Sequence, residues 1–435
     1  MSEISWVVSL LNIGRPLGAI GGAMCINYFG SKTAILINCV PVALSWLFIL
    51  LATSVEWLYV ARFLGGFHIG MTYGCYSLYL GEIADSSNRG ALVALGTSGI
   101  PIGNFIMSIL GAYLSMRMSA AIAFASCLTL MIIFMWLPES PHHLIKTNQH
   151  EKAKASIHWY HRDSDVESEF MALRKFIESV SKQSLLDTMK ELKTAHFRKT
   201  LSIIVILITY NQLCGINSIV FYMESILTMA RISVIPPAQV VIVVMAFGIV
   251  GSVLSMFLMD RFGRKVLMIT SCTGITLSLV LVTAEFHLLY FGFEPKTVEA
   301  LSIVGMCSFY MTVFIGALPV PSAILGEVFP PHLKCIAACF TTSMSGTASF
   351  ISTATYLPML EALSERYLFL FYGLLIATAV PFTIFFVPET KGLSLQEIQG
   401  QLMGNSEGKD KKREKVLACA NQVQKYRKQN SFVIP

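Results

Sequence analysis

Long apolar stretches separated by short polar segments dominate the chain. Eleven of these stretches contain few charged side chains, and they lie at residues 6–29, 34–53, 57–81, 91–115, 119–137, 200–230, 237–259, 266–291, 298–326, 336–360 and 367–387. A helix rises about 1.5 Å per residue, so a stretch of about 20 residues crosses a hydrocarbon core of roughly 30 Å. Unbroken apolar character favours helices over barrel strands, which alternate in character over about ten residues. The pattern therefore predicts an all-α integral membrane protein.

Two polar regions interrupt this pattern. Residues 139–199 are rich in charged and histidine side chains, but their apolar residues keep helical spacing, which predicts a short helical domain beside the membrane. The tail, 389–435, carries clustered Lys and Arg, and such a bias is typical of the cytoplasmic side. We expect an N-terminal transmembrane bundle over 1–138 and a C-terminal one over 200–388.

Three short motifs occur once in each half of the chain. Residues 27–32 (NYFGSK) recur as 260–265 (DRFGRK), Gly81-Glu82 ahead of Arg89 recurs as Gly326-Glu327 ahead of Lys334, and Pro138-Glu139 recurs as Pro388-Glu389. Internal repeats of this kind are typical of transporters built from two matching bundles. The second half has one predicted span more than the first. We therefore expect that the counterpart of the span at 200–230 is missing ahead of residue 1; the alternative is a protein that works with eleven spans.

Composition narrows the function classes. Of the residues, 54% are hydrophobic and 13% are charged, which is about half the charged share of a soluble domain. The net charge of +6 resides mainly in loops and tail, where it sets topology, so we expect no nucleic-acid partner. The ten cysteines lack the spacing of zinc sites or disulfide frameworks. No nucleotide-binding loop, nucleophile motif or metal-ligand set is recognisable, so we expect neither an enzyme nor a cofactor or metal.

Several signature motifs occur at fixed spacing. Residues 64–70 (LGGFHIG) precede Tyr79, Glu82 and Arg89, and further motifs are PESP at 138–141, DRFGRK at 260–265 and PETKG at 388–392. Together they resemble the sugar porter family of the major facilitator superfamily. The resemblance implies the major facilitator fold, which has two pseudo-repeated helix bundles, with six spans each in the family and five plus six predicted here. It also implies alternating access to a central solute site.

The resemblance further implies a role for the charged groups at the cytoplasmic face. In the family such groups form networks that close and break as the carrier changes state, so they act as gates rather than as solute ligands. Carried over by motif, this gating role is expected for Glu82, Arg89, Glu139, Asp260, Arg261, Arg264, Glu327, Lys334 and Glu389.

Amide side chains and a glycine interrupt the predicted span at 200–230. Buried polar groups are costly in lipid unless they face a cavity or bond another helix. Amides donate and accept hydrogen bonds without adding charge, which suits an uncharged polyol. The stretch 211–217 (NQLCGIN) resembles the family's sugar-binding segment, which implies Gln212, Asn217 and Asn211 as ligands. Thr97 aligns with a further sugar-contacting position, although a threonine bonded to its own helix is the alternative there.

A proline pair and three departures complete the comparison with the family. Pro319 and Pro321 match the family's prolines in the span at 298–326, and the weakened helix predicts a hinge, with a fixed kink as the alternative. The family usually has a tryptophan, an Asn-Trp pair and an asparagine where this chain has Ser322, Ser345-Gly346 and Gly251. These departures leave the transporter class unchanged and put glucose itself in doubt.

The features combine into one functional prediction. We expect facilitated diffusion of a small neutral polyol, a hexose or trehalose, through a multi-pass protein of the lipid bilayer, most simply the plasma membrane. A non-transporting nutrient sensor or an inactive truncated paralogue is the alternative. The sequence leaves open which sugar is carried, whether protons are coupled to it, and the oligomeric state.

Overall fold

The computed structural model describes residues 3–83, 89–160, 165–181, 191–329 and 331–391. Long helices occupy the start of the chain, and they are α1 (Glu3–Phe29), α2 (Ser31–Leu51), α3 (Val55–Ile83), α4 (Arg89–Tyr113) and α5 (Met116–Trp136). Shorter helices follow in the polar region, and they are α6 (Pro141–Lys146), α7 (His150–Tyr160) and α8 (Val166–Ser181). The basic tail beyond residue 391 lies outside the described residues.

The second half of the chain is also helical. Its elements are α9 (Ala195–Leu213), α10 (Ile216–Met229), α11 (Pro237–Phe262), α12 (Arg264–Tyr290), α13 (Pro295–Thr312), a π-helical turn (Val313–Ala317), α14 (Pro319–Val328), α15 (Pro331–Ala377) and α16 (Ala379–Phe386). α15 contains a break at Ser364, where φ is 59°. Each predicted span coincides with one or two of these helices, so the all-α prediction is confirmed.

The helices and their surfaces suit a membrane. In the described part of the chain, eight helical stretches are long and apolar enough to cross a bilayer; one of them, Ile336–Phe386, holds two predicted spans. Large apolar side chains face outwards, among them Trp136 at 87%, Phe385 at 79% and Phe257 at 71% exposure. A surface of this kind would aggregate in water and is stable against hydrocarbon. The chain is therefore a multi-pass membrane protein.

Glycines allow α1 and α3 to pack with their backbones in contact. A Cβ atom at Gly66 would lie 1.8 Å from the carbonyl oxygen of Leu11, and one at Gly18 would lie 2.0 Å from that of Phe67. Real Cβ atoms do not approach other atoms so closely, so only glycine fits these two positions. Stripes of small residues are how helices pack closely in lipid, where no hydrophobic effect draws them together. The glycines of the 64–70 motif therefore act in packing.

Buried apolar side chains form one large cluster in the second half and smaller clusters elsewhere. The large cluster includes Tyr222 and Tyr356, whose rings stack with centroids 4.6 Å apart. A separate small cluster, built on Ile157 and Phe170, holds α6, α7 and α8 together. Residues 139–199 thus contain helices with an apolar core of their own, beside the spanning helices.

Candidate solute-binding site

A break between α9 and α10 brings two amide side chains together. Gly215 at the break has a φ of 83°, a left-handed conformation that glycine adopts without strain. A Cβ atom there would lie 2.7 Å from the ring of Tyr372. Across this break Asn217 Nδ2 donates to Gln212 Oε1 at 2.5 Å. Two of the three amides predicted as ligands are therefore in direct contact.

The amide pair continues into hydrogen bonds that reach the first half of the protein. Asn217 Nδ2 also donates to Ser349 Oγ on α15 at 2.5 Å, and Ser349 Oγ donates to Asn12 Oδ1 on α1 at 2.8 Å. Asn12 Nδ2 in turn donates to Thr353 Oγ1 at 3.3 Å. Arg15 and Ser345, described below, continue this set of contacts. We name the group the central polar cluster, and its members are Asn12, Arg15, Gln212, Asn217, Ser345 and Ser349. It connects the two halves of the chain.

Arg15 adds a positive charge to the central polar cluster. It lies near the middle of α1, and its side chain is only 7% exposed. Arg15 Nη2 donates to Ser345 Oγ at 3.1 Å, and Nη1 donates to Asn12 Oδ1 at 3.5 Å, while Nε is buried without a partner. The ring of Tyr73 lies 5.9 Å from the guanidinium carbon. Among the residues that the structure describes, the hydrogen-bond partners of Arg15 are therefore all neutral.

Asn211 braces the proline-containing helix. Its Nδ2 atom donates to the carbonyl oxygen of Ala317. In a regular α-helix that carbonyl would accept a hydrogen bond from residue 321, but Pro321 has no N–H. Asn211 supplies the missing donor, and its Oδ1 atom is buried without a hydrogen-bond partner. The ligand role expected for Asn211 stays a prediction, and its donor is already in use.

The helix that carries the proline pair is interrupted. α13 ends at Thr312, a π-helical turn follows, and α14 begins at Pro319. Ser271 Oγ donates to the carbonyl of Thr312 at 2.5 Å and accepts from the N–H of Ala317 at 2.9 Å, so it bonds backbone groups at the two ends of the turn. Prolines and π-helical turns are common places for a helix to bend. A hinge and a fixed kink would both have this geometry in a single structure, so the hinge stays a prediction.

Thr97 lies on α4, and its side chain is exposed. The hydrogen bonds that define the central polar cluster do not include it, and its sugar contact stays a prediction. A different residue of α4 reaches the second half of the chain, because Asn104 Nδ2 donates to Tyr310 Oη on α13 at 2.7 Å. α4 and α11 also pack side by side, so α4 contributes to the contact between the halves.

Some of the charged residues expected at the gate form close pairs. Arg264 Nη2 lies 2.7 Å from Glu327 Oε1, which joins the start of α12 to the end of α14. In the first half, the residue that matches Glu327 is Glu82, whose Oε2 atom accepts from Ser31 Oγ at 2.6 Å. In both halves a glutamate near the end of one helix contacts the first residue of another helix. That first residue is Arg264 in the second half and Ser31 in the first half.

Glu139 and Glu389 act as caps of helix N-termini. Glu139 accepts from the backbone N–H groups of Lys32 at 2.9 Å and Thr33 at 3.1 Å, at the start of α2. Glu389 accepts from the N–H groups of Arg264 at 3.0 Å and Lys265 at 3.2 Å, at the start of α12. Unpaired N–H groups and the helix dipole favour a carboxylate at this position.

The remaining members of the expected network are Arg261, Lys334, Arg89 and Asp260. Arg261 is exposed, and its guanidinium lies over the ring of the adjacent Phe262, 5.6 Å from the centroid. Lys334 lies half-buried in the first turn of α15. Arg89 is the first residue of α4 and Asp260 lies in the last turn of α11, but their side chains lie outside the described part of the structure. A gating role for the whole set stays a prediction.

Two tyrosines connect the spanning helices to the polar region. Tyr79 Oη on α3 lies 2.7 Å from Tyr160 Oη on α7, and Tyr160 Oη donates to the carbonyl of Pro138 at 3.0 Å. Burial raises the pKa of Tyr160, so the hydroxyl keeps the proton that it donates. Ser156 Oγ donates to the carbonyl of Glu139 at 2.7 Å beside them. These hydrogen bonds attach α7 to the end of α3.

Close helix packing explains two of the departures from the family pattern. A Cβ atom at Gly346 would lie 2.9 Å from Pro16 Cδ and 3.1 Å from Arg15 Cβ, where α15 meets α1. A Cβ atom at Gly251 would lie 2.3 Å from the carbonyl oxygen of Met311, where α11 meets α13. Neither position has room for a Cβ atom, and so for the tryptophan or the asparagine that the family usually places there. Nothing comparable explains Ser322, whose side chain is exposed.

Comparison with known proteins decides the family. The family described as "Sugar (and other) transporter" matches residues 1–402. The chain belongs to this sugar transporter family. It is 30% identical over 404 residues to the facilitated trehalose transporter Tret1 of Polypedilum vanderplanki, covering 92% of this chain and 80% of that protein. It is also 30% identical to the sugar transporter ERD6-like 6 of Arabidopsis thaliana, with 92% and 82% covered.

Longer relatives and solved structures complete the comparison. Tret1 of Drosophila grimshawi is 29% identical over 403 residues, but the match covers 43% of that protein, so the chain spans less than half of its length. The proton:xylose symporter XylE, bound to 6-bromo-6-deoxy-D-glucose, superposes with a TM-score of 0.75 at 20% identity, covering 92% of this chain and 89% of the symporter. XylE is a major facilitator protein, which confirms the predicted fold for this sugar transporter family member.

Four members of the central polar cluster were not predicted from the sequence. Asn12, Ser345 and Ser349 are small polar residues on helices, and their partners lie far away along the chain. Arg15 did have a local signal, because a charged residue in the middle of an apolar span is rare and functional by default. That signal indicated that α1 contributes to the site, which the family resemblance had not indicated.

Proposed function

We propose that this sugar transporter family member carries a small neutral polyol of the hexose or trehalose class across a membrane, by facilitated diffusion with alternating access. The observation that carries the proposal is the contact between Gln212 and Asn217, and its extension through Ser349 to Asn12. These amides and hydroxyls lie between the two halves of the chain, where a rocking motion would separate and rejoin them.

The chemistry of the central polar cluster suits hydroxyl groups. Amides and serine hydroxyls both donate and accept hydrogen bonds, as the hydroxyls of a sugar do. A solute that enters between α1 and α15 can replace the bonds of Asn217 to Ser349 and of Ser349 to Asn12 one for one. Exchange of like bonds keeps the cost of desolvation low, which a carrier needs in order to bind and release its solute.

The relatives support the solute class. Two relatives named above are called facilitated trehalose transporters and a third a sugar transporter. The names of these relatives do not favour the alternative of a non-transporting sensor. We place the protein in the plasma membrane as part of the proposal, and we propose transport without ion coupling.

A counterflow assay tests the proposal. The full chain is purified, reconstituted in proteoliposomes, and loaded with unlabelled trehalose or D-glucose, after which entry of the labelled sugar is measured. A carrier with alternating access shows entry that is accelerated by the internal sugar and that saturates with its concentration. Entry equal to that of empty liposomes for both sugars, from protein that is monodisperse and stably folded, would refute the proposed function.

A further inference from the structure

Arg15 is a buried cation that has no countercharge among the described residues. Its hydrogen-bond partners, Asn12 Oδ1 and Ser345 Oγ, are neutral, and one of the two contacts is long at 3.5 Å. No carboxylate within the described ranges forms an ion pair or hydrogen bond with it. Its Nε–H group is buried and has no acceptor in the part of the chain that the structure describes. A charge in this situation carries a desolvation cost that its present partners do not offset.

The guanidinium offers a specific kind of site. Its donors lie in one plane and match the two oxygens of a carboxylate, which bind side by side at short distance. A neutral hydroxyl can accept from only one or two of these donors and does not neutralise the charge. The group that would satisfy Arg15 best is therefore an anionic group with two oxygens.

Arg15 is part of the same hydrogen-bonded set as the amide pair. The path runs from Arg15 to Asn12, from Asn12 to Ser349, and from Ser349 to Asn217, with each step made by side chains alone. Groups so connected can contact a single small molecule. On α15, Ser345 Oγ accepts from Arg15 Nη2, and the neighbouring Gly346 has no side chain that could accept from the guanidinium.

We propose that Arg15 forms a carboxylate subsite beside the polyol site, so that the preferred solute is a sugar that bears one carboxylate, of the hexuronate class. This inference rests on the proposed transport of a sugar, and it extends the solute class from neutral polyols to sugars that carry a carboxylate. The carboxylate belongs to the sugar itself or to a small separate anion that binds with a neutral sugar. Both sources use the same chemistry at Arg15.

A comparison of two labelled probes tests the subsite. Uptake of D-glucuronate and of D-glucose into proteoliposomes is measured at equal concentration, with the full chain. We expect D-glucuronate uptake about tenfold above that of D-glucose, which corresponds to one charge-assisted contact. Arg15→Gln should reduce this ratio to one or below, and Arg15→Lys should leave an intermediate ratio because the charge stays and the planar fork is lost.

A matched control variant separates the role of Arg15 from the general effect of removing an arginine. Arg117→Gln makes the same change at an exposed arginine at the start of α5, and it should keep the uptake ratio of the parent protein.

If Arg15→Gln does not fold, the proposal is tested on the parent protein. An inside-positive membrane potential should then increase uptake of D-glucuronate and leave uptake of D-glucose unchanged. Acetate is then added to the D-glucose assay. Stimulation of uptake in the parent but not in Arg15→Gln would support the subsite, and it would show that the carboxylate comes from a separate anion.

The outcomes separate the two proposals. D-glucose or trehalose uptake without a preference for D-glucuronate, and without stimulation by acetate, would overturn the carboxylate subsite and leave the proposed function standing. A preference for D-glucuronate that Arg15→Gln does not change would overturn the role of Arg15. Protein that is folded and takes up none of the three probes would refute the proposed function itself.

Discussion

Glu389 meets the start of α12 in the same way that Glu139 meets the start of α2. Each carboxylate accepts hydrogen bonds from two successive backbone N–H groups, and each helix start follows a glycine with nearly the same conformation, φ 90° at Gly30 and φ 91° at Gly263. A Cβ atom at either glycine would collide with the capping region. The repeat that is visible in the motifs is therefore also present in three dimensions.

The two caps should contribute to stability. Glu139→Gln and Glu389→Gln each remove a charged acceptor from a helix N-terminus, and we expect each to lower the free energy of unfolding by about 1–3 kcal/mol. Thermal unfolding of the purified protein in detergent measures this. Glu224→Gln, at an exposed position of α10, is the control and should have no effect. Unchanged stability in both cap variants would mean that water replaces the carboxylates.

Asn211 should be coupled to Pro321. Asn211→Ala leaves the carbonyl of Ala317 without a donor, at an expected cost of about 1–3 kcal/mol in the free energy of unfolding. Pro321→Ala restores a backbone N–H to that carbonyl, so Asn211→Ala should cost less in that background. A double-mutant cycle of thermal unfolding measures the coupling. Equal costs in the two backgrounds would exclude the bracing role.

The contact between α1 and α3 should tolerate no side chain. Gly66→Ala would place Cβ 1.8 Å from the carbonyl oxygen of Leu11, so the two helices must separate, and we expect a loss of at least about 1–3 kcal/mol or failure to fold. Gly103→Ala in α4 meets nothing within 4 Å and should be neutral, or stabilising by about 0.5–1 kcal/mol. The yield of monodisperse protein and its thermal unfolding compare the two variants. Equal behaviour would contradict the packing described for α1 and α3.

The spans could be predicted because they depend on local properties. Length and apolar character decide whether a segment crosses a bilayer, and neighbouring residues along the chain carry that information. The break at Gly215 was visible for the same reason, since amides and a glycine stand together there. The choice of Gln212 and Asn217 as ligands came from the family resemblance of residues 211–217.

The rest of the site depends on pairings between distant segments. Arg15 and Ser345 are 330 residues apart, and nothing local marks a serine as its partner. Asn211 acts on a carbonyl that Pro321 leaves free, and only the folded chain shows that the two are adjacent. The need for a small residue at Gly346 likewise cannot be predicted until the helix that packs against it is known.

The most direct test of the central claim is solute transport by a variant that lacks the two contacting amides. In counterflow with trehalose or D-glucose, Gln212→Ala combined with Asn217→Ala should reduce uptake at least about tenfold, because several hydrogen bonds to the solute are lost. The control, Ser126→Ala combined with Thr129→Ala on the exposed face of α5, should transport as the parent does. Equal uptake by the parent and by the amide variant, with equal stability, would contradict a solute site at the central polar cluster.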